Sequence, residues 1–184
     1  MLILASMSPR RREILKMAGY DFLVRPADID ESVPEGTPPE RAVVMTAEKK
    51  AAAVSGSFTP EDVILAADTV VAFDGEIIGK PSSPEDAVAI LKRLSGSTHT
   101  VYTGYCIIRG DEHISGAEAT EVTFRSLTAD EIEKYVQSGE PMDKAGAYGL
   151  QGMACSFASR LNGDYFNVIG LPICTIGEIL KKYC

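Results

Sequence analysis

The first fifteen residues constrain the fold more than any other stretch. Leu2-Ile-Leu-Ala5 is an apolar run of four that reads as a buried strand, and Ser6-Met-Ser-Pro9 breaks it before a helical pattern starts at once. Ser8 suits the N-cap and Pro9 the first helical position, where its missing N–H costs nothing. The helix is predicted from Pro9 to Met17, ending at Gly19. Free backbone N–H groups at such a start attract anions. Arg10, Arg11 and Arg12 fill the first turn, where cations oppose the helix dipole. A negative group between dipole and guanidinium groups resolves that conflict, and a polyphosphate is the natural candidate. A solvated basic turn with surface ion pairs is the plainer alternative.

The rest of the chain limits what such a site can serve. At 184 residues there is ample material for a core in one domain, read here as 1–184. No apolar run approaches the roughly 20 residues of a membrane span, and no secretory signal is visible, so a cytoplasmic location is expected. A net charge of −8 argues against general nucleic-acid binding, where a basic face is needed. An acidic chain can still hold a polyanion through a local basic cluster, usually with a divalent cation. Cys106, Cys155, Cys174 and Cys184 form no C-x-x-C pair and read as reduced thiols, mostly in the core.

Further along, Tyr20 to Val24 reads as a short strand. Thr37 is the expected cap of an Ala-rich helix reaching about Val54, with Val43, Ala47, Lys50 and Val54 on one face. Lys49 sits almost as well beside Ala42 and Met45, so periodicity does not choose between the two lysines. Val63 to Phe73 is the most strand-like run; Asp74-Gly75 then turns it back through Glu76 to Ile78. Ser83-Pro84 opens a helix to about Leu94 with Ala87, Ile90, Leu91 and Leu94 inward. Thr98 to Arg109 and Ile114 to Arg125 read as two long strands. Thr128-x-x-Glu131 is a capping box for a helix to about Ser138. Ser156 to Leu161 and Tyr165 to Ile169 suggest a last hairpin around Asn162-Gly163, and Pro172 starts the C-terminal helix. The prediction is an α/β fold built on a long, mixed, twisted sheet flanked by helices, with two lobes around a cleft.

Asp68 interrupts a run that otherwise demands burial. A carboxylate there is costly unless it is paired, metal-bound or facing a cleft; a capping role at a strand end is the alternative. Lys80, in Gly79-Lys-Pro81, adds a cation just after the returning strand. Glu31, following Asp28 and Asp30, offers a second oxygen ligand, although a solvated acidic loop explains it equally. Three or four basic groups, an anion-ready helix start and two carboxylates suit a Mg²⁺-bound nucleotide. His99 and His113 show no ligand-like spacing and read as strand residues. Neither a Walker loop nor a G-x-G-x-x-G is present.

Five stretches in order carry a resemblance along nearly the whole chain: Ala5-Ser-Met-Ser-Pro-Arg-Arg11; Ala67-Asp-Thr-Val-Val71 with Gly79-Lys-Pro81; Leu94-Ser-Gly96; Glu140-Pro-Met-Asp-Lys-Ala-Gly-Ala-Tyr-Gly-Leu-Gln-Gly152; and Val168-Ile-Gly-Leu-Pro172. With them the chain resembles the Maf family of nucleoside triphosphate pyrophosphatases, of ITPase-like fold. The resemblance implies hydrolysis between the α and β phosphates to the monophosphate and pyrophosphate. It implies Asp68 as catalytic base or metal-associated carboxylate, with Glu31 as the second metal-side acid. Ser6, Arg10, Lys50 and Lys80 match phosphate-facing positions, with Arg11 counted among the phosphate contacts, and here the family selects Lys50 over Lys49. Arg11, Thr69 and Gln151 match the specificity positions of the pyrimidine branch, so dTTP and UTP are the implied substrates. A glutamine amide offers a donor and an acceptor, matching N3–H and a carbonyl of uracil or thymine. The implied cofactor is Mg²⁺, with Mn²⁺ as the other candidate, and the family suggests a homodimer.

A different class of function uses the same basic cluster: a nucleotide-sensing regulatory module linked to cell division, binding without turnover and needing no Asp68 chemistry. A phosphotransferase would need an acceptor pocket or nucleophile, which the sequence does not display.

Overall fold

Alternation along the strands decides which helix covers which face. The computed structural model describes residues 1–183, with strands β1 (Leu2–Leu4), β2 (Phe22–Val24), β3 (Val63–Phe73), β4 (Glu76–Ile78), β5 (Thr98–Arg109), β6 (Glu112–Phe124) and β7 (Ala158–Asn162). Interleaved with them are helices α1 (Pro9–Met17), α2 (Pro39–Ser55), α3 (Pro84–Leu94), α4 (Ala129–Gln137), α5 (Tyr165–Ile169) and α6 (Ile173–Leu180). The strands form one mixed sheet in the order β2-β1-β3-β5-β6-β7, with β4 on the outer half of β3. β1 is parallel to β2 and β3, while the other pairings are antiparallel.

Leu2, Leu4, Val63, Leu65 and Ala67 point to one face, where they pack with Ile14 and Leu15 of α1 and the apolar stripes of α3, α4 and α6. Ile3, Ala5, Ile64, Ala66, Cys106 and Ile108 point to the other, against Ala47, Ala51 and Val54 of α2. Asp68 continues the second series and Thr69 the first, since neighbouring strand residues face opposite ways. Asp68 therefore meets α2, and Thr69 meets α1.

α2 comes unusually near the sheet, and Gly104 permits it. Gly104 is the β5 residue paired across from Asp68. A Cβ there would stand 2.4 Å from the Val43 carbonyl carbon and 2.6 Å from the Val44 nitrogen. Lys50 follows Val43 by two turns on the same buried face, so the approach at Gly104 delivers its ammonium to Asp68. Gly104→Ala is expected to destabilise the fold by about 1–3 kcal/mol, as overpacking against rigid backbone does. Urea unfolding measures the loss.

Three sequence expectations give way here. Tyr165–Ile169 is a helix rather than the return strand of a hairpin. β7 pairs with β6 instead, and the Asp164 carboxylate caps α5 through the Phe166 N–H at 2.8 Å. Thr37 does not cap α2: Pro38 and Pro39 follow it without N–H groups to offer, so its hydroxyl donates to the Pro34 carbonyl at 2.6 Å. Of the cysteines, Cys106 is buried, but Cys155 and Cys174 are exposed, and Cys184 lies outside the described residues. All three described thiols are free, and burial pushes that of Cys106 up to about 12.

Both histidines lie in strands, as expected. His99 is buried beside Phe124 and Tyr148, with Nε2 sharing a 2.7 Å hydrogen bond with the Tyr148 hydroxyl and Nδ1 unpartnered. Burial depresses its pKa from 6.5 to about 4. Between those values the unfolded chain binds a proton that the native protein refuses, so stability falls as pH drops from 6.5 toward 4. The effect amounts to ~3 kcal/mol at its limit. Glu131, held at about 2 chiefly by hydrogen bonds from Arg125, adds its own loss only below pH 4.5. His99→Gln is expected to flatten the dependence between pH 6.5 and 4.5, measured by denaturant midpoints at each pH.

Candidate active site

The site opens where the sheet leaves one strand half-paired. β1 covers β3 only over Val63–Leu65, and β4 takes up pairing at Val71. Between them, one edge of β3 faces a cavity of about 860 Å³ at the carboxyl end of β1. That is the size range of small-molecule sites, at the position where ligands bind in open α/β sheets. Ser6, Arg10, Arg11, Glu31, Lys50, Asp68, Thr69, Lys80 and Gln151 all line it, so the residues matched to the family's site positions meet in one place.

On the α2 side, the Lys50 ammonium joins two carboxylates, Asp68 Oδ1 at 2.8 Å and Glu31 Oε1 at 3.1 Å. The Lys50 side chain is 10% exposed and that of Asp68 18%, so the pair sits at the cavity wall rather than in bulk solvent. Lys49 points outward instead and donates to the Ser32 carbonyl at 2.7 Å on the rim. Lys50 occupies only Oδ1, leaving Oδ2 of Asp68 for a ligand or water.

On the α1 side, Arg11 is buried and acts as a strut. Its Nε donates to the Gly170 carbonyl at 2.7 Å, Nη1 to Ser6 Oγ at 3.0 Å and Nη2 to Thr69 Oγ1 at 3.0 Å. Burial draws its pKa down, opposed by the Asp68 carboxylate; a guanidinium remains charged regardless. Arg10 is half-buried and Arg12 exposed, so the three arginines divide into strut, cleft-facing cation and surface cation. Arg10 Nη1 lies 3.9 Å from Asp143 across the opening. As expected, Ser8 caps α1, accepting from the Arg11 N–H.

These contacts fix what the two hydroxyls can offer. Ser6 Oγ already accepts from the Ser8 N–H (3.2 Å) and from Arg11, so its proton remains for an outside acceptor such as a phosphate oxygen. Thr69 is the opposite case. Thr103 donates its single proton to the Asn167 carbonyl at 2.8 Å, so in the 2.9 Å contact between the two threonines Thr69 must be the donor. With its proton spent, Thr69 presents only a lone pair, which suits an N–H or O–H and repels a phosphate. The hydroxyls thus polarise the cleft, with an anion end at Ser6 and a donor-reading end at Thr69.

Thr103 and Asn167 escaped the sequence reading, which gave Gly170 only as part of the Val168–Pro172 stretch and without a role. Gly170 is 159 residues from Arg11, and no local pattern reports so distant a partner. Gly146 and Ala147, at φ +69° and +58°, turn the chain so that Tyr148 to Gln151 borders the cavity. A left-handed alanine costs ~1 kcal/mol, a strain held in place by the packing around it.

A family model described as Maf-like protein matches residues 1–183. A dTTP/UTP pyrophosphatase of Pyrococcus abyssi is 50% identical over 181 residues, covering 98% of this chain and 95% of that protein. One of the same description from Moorella thermoacetica is also 50% identical, covering 99% and 94%. Among solved structures, the Staphylococcus aureus Ham1 protein matches over 98% of both chains with a TM-score of 0.56 at 13% identity, a likeness of fold. The chain belongs to the Maf-like protein family.

Proposed function

We propose that this protein hydrolyses dTTP and UTP to the monophosphate and pyrophosphate. The observation that carries the reading is the convergence on one cavity of Asp68, paired to Lys50 beside Glu31, with the cations Arg10 and Lys80 and the start of α1. Relatives described as dTTP/UTP pyrophosphatases at half identity over nearly the full chain support the substrate assignment.

A divalent metal fits the donors present. Asp68 and Glu31 offer hard carboxylate oxygens and already share one cation, the Lys50 ammonium. Two carboxylates suit Mg²⁺ or Mn²⁺ completed by phosphate oxygens and water. Held by Asp68 and Glu31, the metal would neutralise charge on the triphosphate.

The chain's own groups do the rest. The Ser6 hydroxyl and the N–H groups opening α1 donate to phosphate oxygens, while Arg10 and Lys80 balance the leaving pyrophosphate. A water attacks the α-phosphorus in line and passes its proton to Asp68 Oδ2, and the bond from that phosphorus to the bridging oxygen breaks. Thr69, Arg11 and Gln151 lie toward the base.

Pyrophosphate release across dTTP, UTP, CTP, ATP and GTP with Mg²⁺ tests the proposal. Release confined mainly to dTTP and UTP is expected. Tight binding without release from any nucleotide would favour the regulatory module instead.

A further inference from the structure

Gln151 is exposed on a turn at the cavity edge, and that turn is fastened by a buried phenol behind it and by a carboxylate at the cavity wall. The Tyr135 hydroxyl, from α4, accepts from the Gly149 N–H at 3.3 Å and donates to Glu140 Oε1 at 3.0 Å. Glu140 Oε2 accepts from the Met153 N–H at 3.0 Å. One side-chain pair therefore grips the backbone two residues before and two residues after Gln151. Gly152 closes the turn through its N–H to the Gly149 carbonyl at 3.1 Å.

The clamp is itself rigid. Tyr135 is 1% exposed and packs edge-to-face on Phe157, with ring centroids 5.1 Å apart. Burial, reinforced by the Glu140 carboxylate, raises the phenol's pKa, so it keeps the proton that it donates. Lys144 fixes the Glu140 backbone by donating to its carbonyl at 2.6 Å. Gly152 records how closely the carboxylate presses on the turn. A Cβ there would lie 2.1 Å from Glu140 Oε1, although φ of −113° is open to any residue. An added methyl must therefore displace the Glu140 carboxylate.

We infer that Tyr135 and Glu140 are positioning residues that set base selection by clamping the Gly149–Met153 turn and aiming the Gln151 amide. This rests on the proposed dTTP/UTP reading, with Gln151 as a base contact. Selection by hydrogen bonding needs donors and acceptors held within about 0.5 Å, and a long side chain on a loose turn does not provide that. Tyr135 does not line the cavity, and Glu140, which borders it, acts in this role through its grip on the Met153 N–H.

The test compares Tyr135→Phe, Gly152→Ala and Gln151→Ala, singly and with Tyr135→Phe combined with Gln151→Ala. Pyrophosphate release from UTP and CTP is followed alongside hydrogen exchange of the Gly149 and Met153 amides. Gly152→Ala acts by driving the Glu140 carboxylate off its partners. Tyr135→Phe and Gly152→Ala are each expected to lower the UTP preference over CTP by about tenfold, mostly through KM, the worth of one well-made hydrogen bond. Amide protection should fall at Gly149 and Met153 while the sheet stays protected. The double variant should select no worse than Gln151→Ala alone, because both changes act through one amide. Preference kept in Tyr135→Phe and Gly152→Ala but lost in Gln151→Ala would overturn the clamp and leave the base reader standing. So would a Tyr135→Phe loss that adds in full to that of Gln151→Ala. Preference kept in Gln151→Ala removes the base reader itself, and the clamp's role with it.

Discussion

Asp68→Asn is expected to lower pyrophosphate release from dTTP by about 10²- to 10⁴-fold with little change in KM, the range lost when a positioned general base is removed. The substitution keeps shape and an acceptor oxygen for Lys50, but an amide cannot take the proton of the attacking water. The fold should survive, because Lys50 keeps Glu31 at 3.1 Å and no buried cation is stranded. Thermal melting beside steady-state kinetics separates the two effects. A variant that melts with the wild type but has lost turnover locates the defect in chemistry. Near-normal turnover would remove Asp68 from the reaction.

Lys50→Met is the second large effect and should fall differently. Without the ammonium, Asp68 and Glu31 face each other as like charges at a partly dehydrated wall, and the triphosphate loses a cation. A loss of about 10²- to 10³-fold in kcat/KM is expected, the scale for removing one preorganised electrostatic contact. Part of it should appear in KM, since Lys50 also attracts ground-state phosphate charge. Raising Mg²⁺ should recover some activity by supplying positive charge beside the two carboxylates. A kcat/KM within threefold of wild type would show that the Lys50–Asp68 contact is structural only.

What was legible in the sequence had local causes. The β3–β4 hairpin follows from apolar length and Asp74-Gly75, both of which hold positive φ. The α3 stripe and the α4 capping box have the same origin, a pattern complete within one turn or one face. Tyr165 to Ile169 reads as a strand because aromatic and β-branched residues follow the Asn162-Gly163 turn, yet it is the helix α5. What makes it helical is tertiary as much as local: Asn167, wholly buried, donates to the Val101 carbonyl and to Thr120 Oγ1. Lys49 and Lys50 show the same limit. Both suit an Ala-rich helix, and only the close passage of α2 over Gly104 decides which one reaches Asp68. The hydroxyl direction at Thr69 depends on Thr103, 34 residues on, and through it on Asn167, a further 64 residues on, beyond any sequence window; Ser6 is oriented by the nearby Ser8 and Arg11.

Hydrolysis in H₂¹⁸O tests the central claim most directly, because it reports which phosphorus the water attacks. The ¹⁸O carried by dTMP and by pyrophosphate after single-turnover cleavage of dTTP is measured by mass spectrometry. Attack at the α-phosphorus, with Asp68 taking the proton, predicts the label in dTMP and none in pyrophosphate. Label in pyrophosphate would mean attack at the β-phosphorus, and the roles given to Asp68, Lys80 and Arg10 would be wrong.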